Sequence, residues 1–285
     1  MENPNPRLRL DNTPNLIQSI QSALDQSALQ RPVPLEIKTD WQTSSAVMFL
    51  MGLCPAPAGH PSDPCLVLNK RSDSVRQPGD LCFPGGGVSP LRDRMAALAL
   101  RYLWAPLKQR AVLPSWRHAD TAQTKARTLH LAVALREAWE EIRLNPLRVR
   151  LLGYLPLQRL QIIGRTIWPV VGWVHNQRSF KPNWEVRRIV YIPLKNLLDP
   201  SQYARFQPRI KAHGQSKAAP LHEDEFPCFV HRDSHGRELL WGATYRMVED
   251  FLRIVFDFEV PGLEDLHRVE GFLSPNYLQT TPMAH

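Results

Sequence analysis

The chain has 285 residues, 43% of them hydrophobic and 22% charged, an ordinary globular composition long enough for one sizeable core with appendages. Its formal net charge is +8, but the basic residues are scattered rather than gathered into a stripe, so nucleic acid is not expected and an anionic small-molecule ligand accounts for the charge. Four cysteines without CxxC spacing argue against zinc and for free thiols in a reducing compartment. With no apolar run of membrane-spanning length and no signal-type start, no membrane partner is expected and the cytoplasm is the expected location.

Along the chain, residues 1–12 read as irregular. Asn12 to Ser27 follows with Leu16, Ile17, Ile20 and Leu24 at helical spacing. Ala46 to Leu53 is an apolar strand, and Pro55 to Pro64 a proline-rich connection. Further strands are expected near 65–70, 80–83, 148–158, 166–175 and 187–193. A second long helix, Ala243 to Phe256, carries Tyr245, Met247, Val248, Phe251 and Leu252 at core spacing, and the tail from Pro261 reads as irregular. The implied domains are an N-terminal helix and flexible arm (1–34), a main domain (35–260) and a C-terminal tail (261–285). The pattern predicts an α/β fold, a mixed sheet with helices on two faces.

Two segments carry chemistry. In REAWEE, Arg136 to Glu141, positions three and four apart share a helix face, so Glu137, Glu140 and Glu141 crowd one side. Like charges there repel, and a hard divalent cation, Mg2+ or Mn2+, would reverse that effect. Arg136 lies four before Glu140 and can orient it. Leu131, Leu135, Ala138 and Ile142 bury the opposite side; Asp120 with Gln123 forms a capping box and Asn145-Pro146 stops the helix. Taken alone, the hexad also fits a solvated helix face. The second segment runs from the strand Cys65 to Leu68 into Lys70, Arg71 and Arg76, then Gly79 and Phe83-Pro84-Gly85-Gly86-Gly87. Backbone N–H groups in such a turn, with arginines beside them, suit a pyrophosphate; a polar hairpin loop fits the same residues.

Together the segments resemble the Nudix hydrolase family, whose box reads G, five residues, E, seven residues, REUxEExGU. Gly86 matches the first glycine, and Arg136, Glu137, Ala138, Glu140, Glu141 and Leu144 match the second half. Arg71, Ser72, Arg76, Gly79, Phe83, Pro84, Gly85 and Gly86 are similar to the signature of the coenzyme A pyrophosphatase branch. Ile167–Trp173, Val190–Pro200 and Glu238–Thr244 resemble later segments of that branch, so the likeness spans about residues 45 to 257.

The resemblance implies a Nudix-type α/β/α sandwich. It also implies metal-dependent hydrolysis of coenzyme A or acyl-CoA to 3′,5′-ADP and (acyl-)phosphopantetheine. Glu137, Glu140 and Glu141 would be metal ligands, Arg136 would stand with them in catalysis, and a glutamate among them, or Glu223 or Glu225, would take the proton. Arg71, Ser72, Arg76, Gly79, Phe83, Gly85 and Gly86 would bind substrate.

The pattern also breaks. Arg92 stands where the box has Glu, with Asp93 beside it able to serve, and 43 residues, 93–135, stand where the box has seven. The insertion, about 93–128, opens apolar and helix-prone up to Pro106, and packs either on the domain or on a second copy in a homodimer. Arg143 replaces the box glycine after the EE pair. Two alternatives remain: hydrolysis of another nucleoside diphosphate such as ADP-ribose or a dinucleotide, or an inactive Nudix-fold binding or regulatory module, which Arg92 and Arg143 favour.

Overall fold

In a computed structural model of the chain, residues 10, 12–30, 42–56, 62–102, 121–160, 164–177, 179–210, 219–220, 225–274 and 277 are described. The first element is α1 (Thr13–Gln30), whose first turn is capped by the Asn12 side chain, which accepts from the Asn15 N–H at 3.2 Å. Then come β1 (Ser44–Leu53), β2 (Pro64–Arg71), β3 (Leu81–Cys82), β4 (Gly85–Gly87), α2 (Pro90–Tyr102) and α3 (Thr121–Ile142). β5 (Val149–Tyr154), β6 (Gln158–Leu160), β7 (Arg165–Val174), β8 (Val186–Pro193) and the short α4 (Leu194–Leu197) follow. The chain continues through β9 (Tyr203–Ile210), β10 (Ala219–Pro220), β11 (Phe226–Asp233), β12 (Gly236–Trp241), α5 (Gly242–Phe256) and β13 (Arg268–Leu273).

The main sheet runs β3-β2-β1-β7-β5, with β4 on β1, β6 on β7 and β8 on β2. β1 is parallel to β7 and antiparallel to β2, so the sheet is mixed. Strand alternation splits the core into two layers. Ala46, Met48 and Leu50 of β1 face α3, packing with Ala134, Ala138, Ile142 and Trp168. Phe49 and Met51 face the other way, onto Leu16, Ile20 and Leu24 of α1 and Met247, Phe251 and Leu252 of α5. Helices thus cover both faces, an α/β/α sandwich as expected. Every apolar position singled out on the three long helices is buried.

The second sheet was not anticipated. It runs β10-β9-β11-β12, with β13 parallel to β9. The tail from Pro261 is therefore not wholly irregular, because Arg268–Leu273 forms a strand. These strands lack clean apolar alternation: β9 carries Arg205 and Arg209, whose charges are met by Glu225 and Glu270 across the sheet. Tyr203, Phe229 and Leu240 join the α1/α5 layer, so the second sheet shares its core with the first.

The insertion begins as α2. It packs inward through Asp93, fully buried, and Leu100, half-buried against the α3 layer, while Leu91, Met95 and Leu98 are exposed. The expected break at Pro106 and the Asp120 cap lie outside the described residues.

The Phe83 side chain belongs to the core. Its ring lies 4.3 Å from that of Phe49, which in turn lies 5.0 Å from Phe251. The side chain is 2% exposed and turned to the α1/α5 layer. Phe83→Ala is expected to cost about 3–5 kcal/mol of unfolding free energy in urea titration, as other buried Phe truncations do. A loss under about 1 kcal/mol would contradict a core role.

Candidate active site

α3 carries the carboxylates because its apolar stripe is held against β1 and β7. That leaves Glu137 and Glu141 beside the glycine turn. The turn is pinned from several sides. Met48 N–H donates to the Pro84 carbonyl at 2.8 Å, Gly86 sits opposite Ala46 in the β1–β4 pair, and Gly85 N–H donates to Glu141 Oε1 at 3.1 Å. Glycine at position 86 leaves room for the Glu137 carboxylate: a Cβ there would stand 2.3 Å from Glu137 Oε1 and displace that carboxylate.

The broken box closes in space. Arg136 Nε donates to Asp93 Oδ1 at 2.7 Å and Nη2 to Asp93 Oδ2 at 3.1 Å, a two-pronged pair with a fully buried carboxylate. Asp93 Oδ2 also accepts from the Ser89 N–H at 2.6 Å, which fixes it at the start of α2. Arg92 is exposed. Asp93, next to the exposed Arg92, is thus the carboxylate that meets Arg136 from across the insertion. The same guanidinium donates to the Gly87 carbonyl at 3.0 Å and to Glu140 Oε2 at 3.0 Å, and lies 3.0 Å from Glu137 Oε1. Burial alone would make the Arg136 proton easier to lose, but the Asp93 hydrogen bond and the charges of Glu137, Asp93 and Glu140 hold it on more firmly.

Glu141 is the most buried of the three glutamates. Its Oε2 accepts from Asn69 Nδ2 at 2.6 Å. Burial pushes its carboxyl up to about 8; the charges of Glu137 and Glu185 add to that, and the Gly85 N–H and the Arg71 charge oppose it. Burial also raises Glu137, opposed by the charge and hydrogen bond of Arg136 and reinforced by Glu140. Glu140 is the most exposed of the set.

The three glutamates thus share one side of α3, but each is turned to a protein donor. Among the described residues, no three His, Cys, Asp or Glu side chains are grouped so as to hold a metal ion. The donor chemistry nevertheless fits a hard divalent cation. These are oxygen ligands only, and Glu137 and Glu141 are raised in part by neighbouring negative charge, which a cation would relieve.

The loop between β2 and β3 folds on Arg71. Arg71 N–H donates to Asp80, Gly79 N–H donates back to Arg71 and Arg71 Nε donates to the Arg76 carbonyl at 2.7 Å. Gly79 takes φ +85°, a backbone state suited to glycine. Ser72 N–H donates to the Glu185 carbonyl, and its Oγ accepts from Ser74 N–H. The Arg71 charge opposes the effect of burial on Glu141, Asp80 and Cys82, whereas Arg76 is exposed. Lys70 is engaged elsewhere, with Glu238 at 2.6 Å. Of the loop-acid candidates for proton acceptor, Glu225 is paired with Arg205 and Arg268 on the second sheet, and Glu223 lies outside the described residues.

At the box glycine, Arg143 adopts φ +55° and ends α3; its guanidinium lies 5.3 Å over the Trp139 ring. Trp139 is two positions from both Glu137 and Glu141, about 200° around the helix, so this cation sits away from those two carboxylates.

Sequence reasoning missed Asn69 and the group around Asp80. Asn69 was visible as an amide ending the apolar run CLVLN. Asp80 accepts from Trp241 Nε1 at 3.2 Å and from the Tyr277 hydroxyl at 2.5 Å, which ties the loop to β12 and to the segment after β13.

No protein-family model matches the chain. It is similar to the mouse peroxisomal coenzyme A diphosphatase NUDT7, 29% identical over 53% of this chain and 48% of the mouse protein, and so spans about half that relative's length. It is 27% identical to an uncharacterized Nudix hydrolase, NudL, of Pectobacterium atrosepticum, over 61% of this chain and 70% of that one. Among solved structures it is similar to a Nudix hydrolase, RenU, from M. smegmatis, at 14% identity and TM-score 0.34 over 55% of this chain and 73% of that one. The chain is thus similar in sequence to Nudix hydrolases, and its two motif segments, brought together in the fold, resemble that family's box. No helix among the described residues is long and apolar enough to cross a membrane.

Burial pushes the Asp80 carboxyl up from an ordinary 3.8 to about 6, against the opposing hydrogen bonds of Tyr277 and Trp241 and the charge of Arg71. A carboxyl raised by folding takes up a proton on folding between those two values. Its contribution is complete below about 3.8 and is lost as pH rises through about 6. The unfolding free energy of the wild type relative to Asp80→Asn should therefore fall by on the order of 3 kcal/mol across that window in urea titrations. A pH-independent difference would contradict the burial of Asp80.

Proposed function

We propose that the chain is a metal-dependent Nudix pyrophosphatase that cleaves the diphosphate of coenzyme A or acyl-CoA, giving 3′,5′-ADP and phosphopantetheine or its acyl form. The observation that carries this reading is the Asp93–Arg136 pair, which keeps the carboxylate helix against Gly85–Gly87 despite the insertion. The branch-type run from Arg71 to Gly86 and the likeness to a mouse coenzyme A diphosphatase support the substrate.

Glu137, Glu140 and Glu141 would hold the Mg2+ or Mn2+. Such an ion, when bound, neutralises diphosphate charge and makes a water acidic enough to attack phosphorus. The chain's own residues prepare the site. Asn69 Nδ2 and Gly85 N–H fix the two oxygens of Glu141, and Arg136 fixes Glu137 and Glu140. Arg71 brings a cation beside Glu141, where the substrate's phosphates would lie. The same reading sets the reaction in the cytoplasm, a compartment that keeps thiols reduced.

One observation favours a second reading, a Nudix-fold module that binds a nucleoside diphosphate without cleaving it: all three glutamates are already held by protein donors. One assay separates the two. Incubation with coenzyme A and Mg2+ or Mn2+ should release 3′,5′-ADP, and a chelator should stop it. Glu140→Gln should cut turnover by about 100-fold or more, the several kcal/mol a metal contributes, with an unchanged melting temperature. Metal-independent release, or an active Glu140→Gln protein, would refute the assignment.

A further inference from the structure

Two of the four cysteines stand apart from the chemistry above and meet each other. Leu53 pairs with Pro64 and Gly52 with Cys65 in the β1–β2 ladder, and the Cys54 N–H donates to the Asp63 carbonyl at 2.8 Å, just past the end of β1. By strand alternation Gly52, Cys54 and Cys65 face the same side, the α3 layer, in which Cys65 is buried and against which Cys54 packs. Gly52 has no side chain to stand between the two thiols. Cys54 and Cys65 are in side-chain hydrogen-bonding contact as diagonal neighbours across the two strands.

Their exposures differ in a useful way. Cys54 is half-buried next to exposed residues, whereas Cys65 is fully buried. Lys195, paired with Asp63 at 2.7 Å, completes the surroundings of Cys54.

We propose that Cys54 and Cys65 form a thiol–disulfide exchange site that takes low-molecular-weight disulfides. The Cys54 thiolate attacks one sulfur of the small disulfide, forming a mixed disulfide and expelling one small thiolate, which takes up a proton. Cys65 then attacks the Cys54 sulfur and gives up its proton to the second small thiolate, which this attack displaces. Two protein thiols are oxidised to one disulfide, and one small disulfide is reduced to two thiols. Diagonal strand neighbours stand about 7–8 Å apart, too far for a disulfide without backbone movement; Cys54 lies beyond the last residue of β1, so bridging draws in a strand end rather than the sheet interior.

The local charges agree with this division of labour. The Cys65 contact is the main influence making the Cys54 proton easier to lose, with Lys195 adding to it against burial and Asp63. The same contact and burial hold the Cys65 proton on, so Cys65 acts second; Cys82 lies opposite Asn69, and Cys228 opposite Ala204 and Trp241, so neither has a cysteine across its strands.

The test uses the full-length protein and glutathione disulfide as the probe, and it is independent of any pyrophosphatase activity. After oxidation, removal of the probe and unfolding in denaturant, titratable thiols should fall from four per chain to two. Peptide mapping should find Cys54 joined to Cys65, with Cys82 and Cys228 still alkylated. Cys65→Ser should stop at one glutathione on Cys54, and Cys54→Ser should leave Cys65 unmodified in the folded protein. Four thiols remaining in the wild type, glutathione retained on it, or a bridge between any other pair would overturn the proposal. The wild-type measurement decides alone if either variant does not fold.

Discussion

One guanidinium holds the site together. Arg136 reaches across the insertion to the buried Asp93, over to the Gly87 carbonyl, and along its own helix to Glu137 and Glu140. Widening the gap between the two halves of the box from seven residues to 43 costs, as loop entropy, only about 2 kcal/mol. Breaking a buried ion pair by removing one partner costs about 3–5 kcal/mol. The pair joins α3 to the start of α2 across the detour, so losing either partner would strand a charge at the joint.

The same pair explains an arrangement that would otherwise be unfavourable. Three glutamates and an aspartate lie close together, two of the glutamates substantially buried, and burial opposes their ionisation. Arg136 offsets part of that repulsion, and Asn69 and the Gly85 N–H satisfy Glu141. A residual excess of negative charge remains, suited to a divalent cation. The glycine turn and the carboxylates fit each other, since a Cβ at Gly86 would displace the Glu137 carboxylate.

Much of this was legible in the sequence because the signals were periodic or dense in special residues. The spacing of Leu131, Leu135, Ala138 and Ile142 gave the buried side of α3, and with it the side on which the glutamates lie. The second sheet was illegible because β9 and β13 rely on arginine–glutamate pairs across strands, not on alternating apolar residues. The motif position of Phe83 does not say which way its side chain turns; the ring completes the Phe49–Phe251 stack. Arg143 shows the converse. The box calls for glycine there, and the chain keeps the left-handed backbone while changing the residue.

The most direct test of this account is a double-mutant cycle on Asp93 and Arg136, using Asp93→Asn, Arg136→Gln and the pair, read by urea unfolding with Arg92→Ala as the control. The account predicts a coupling energy of about 2 kcal/mol or more between positions 93 and 136 and a change within about 0.5 kcal/mol for the exposed Arg92. Additive effects at 93 and 136, within about 0.5 kcal/mol, would mean that the two halves of the box are not joined by this pair.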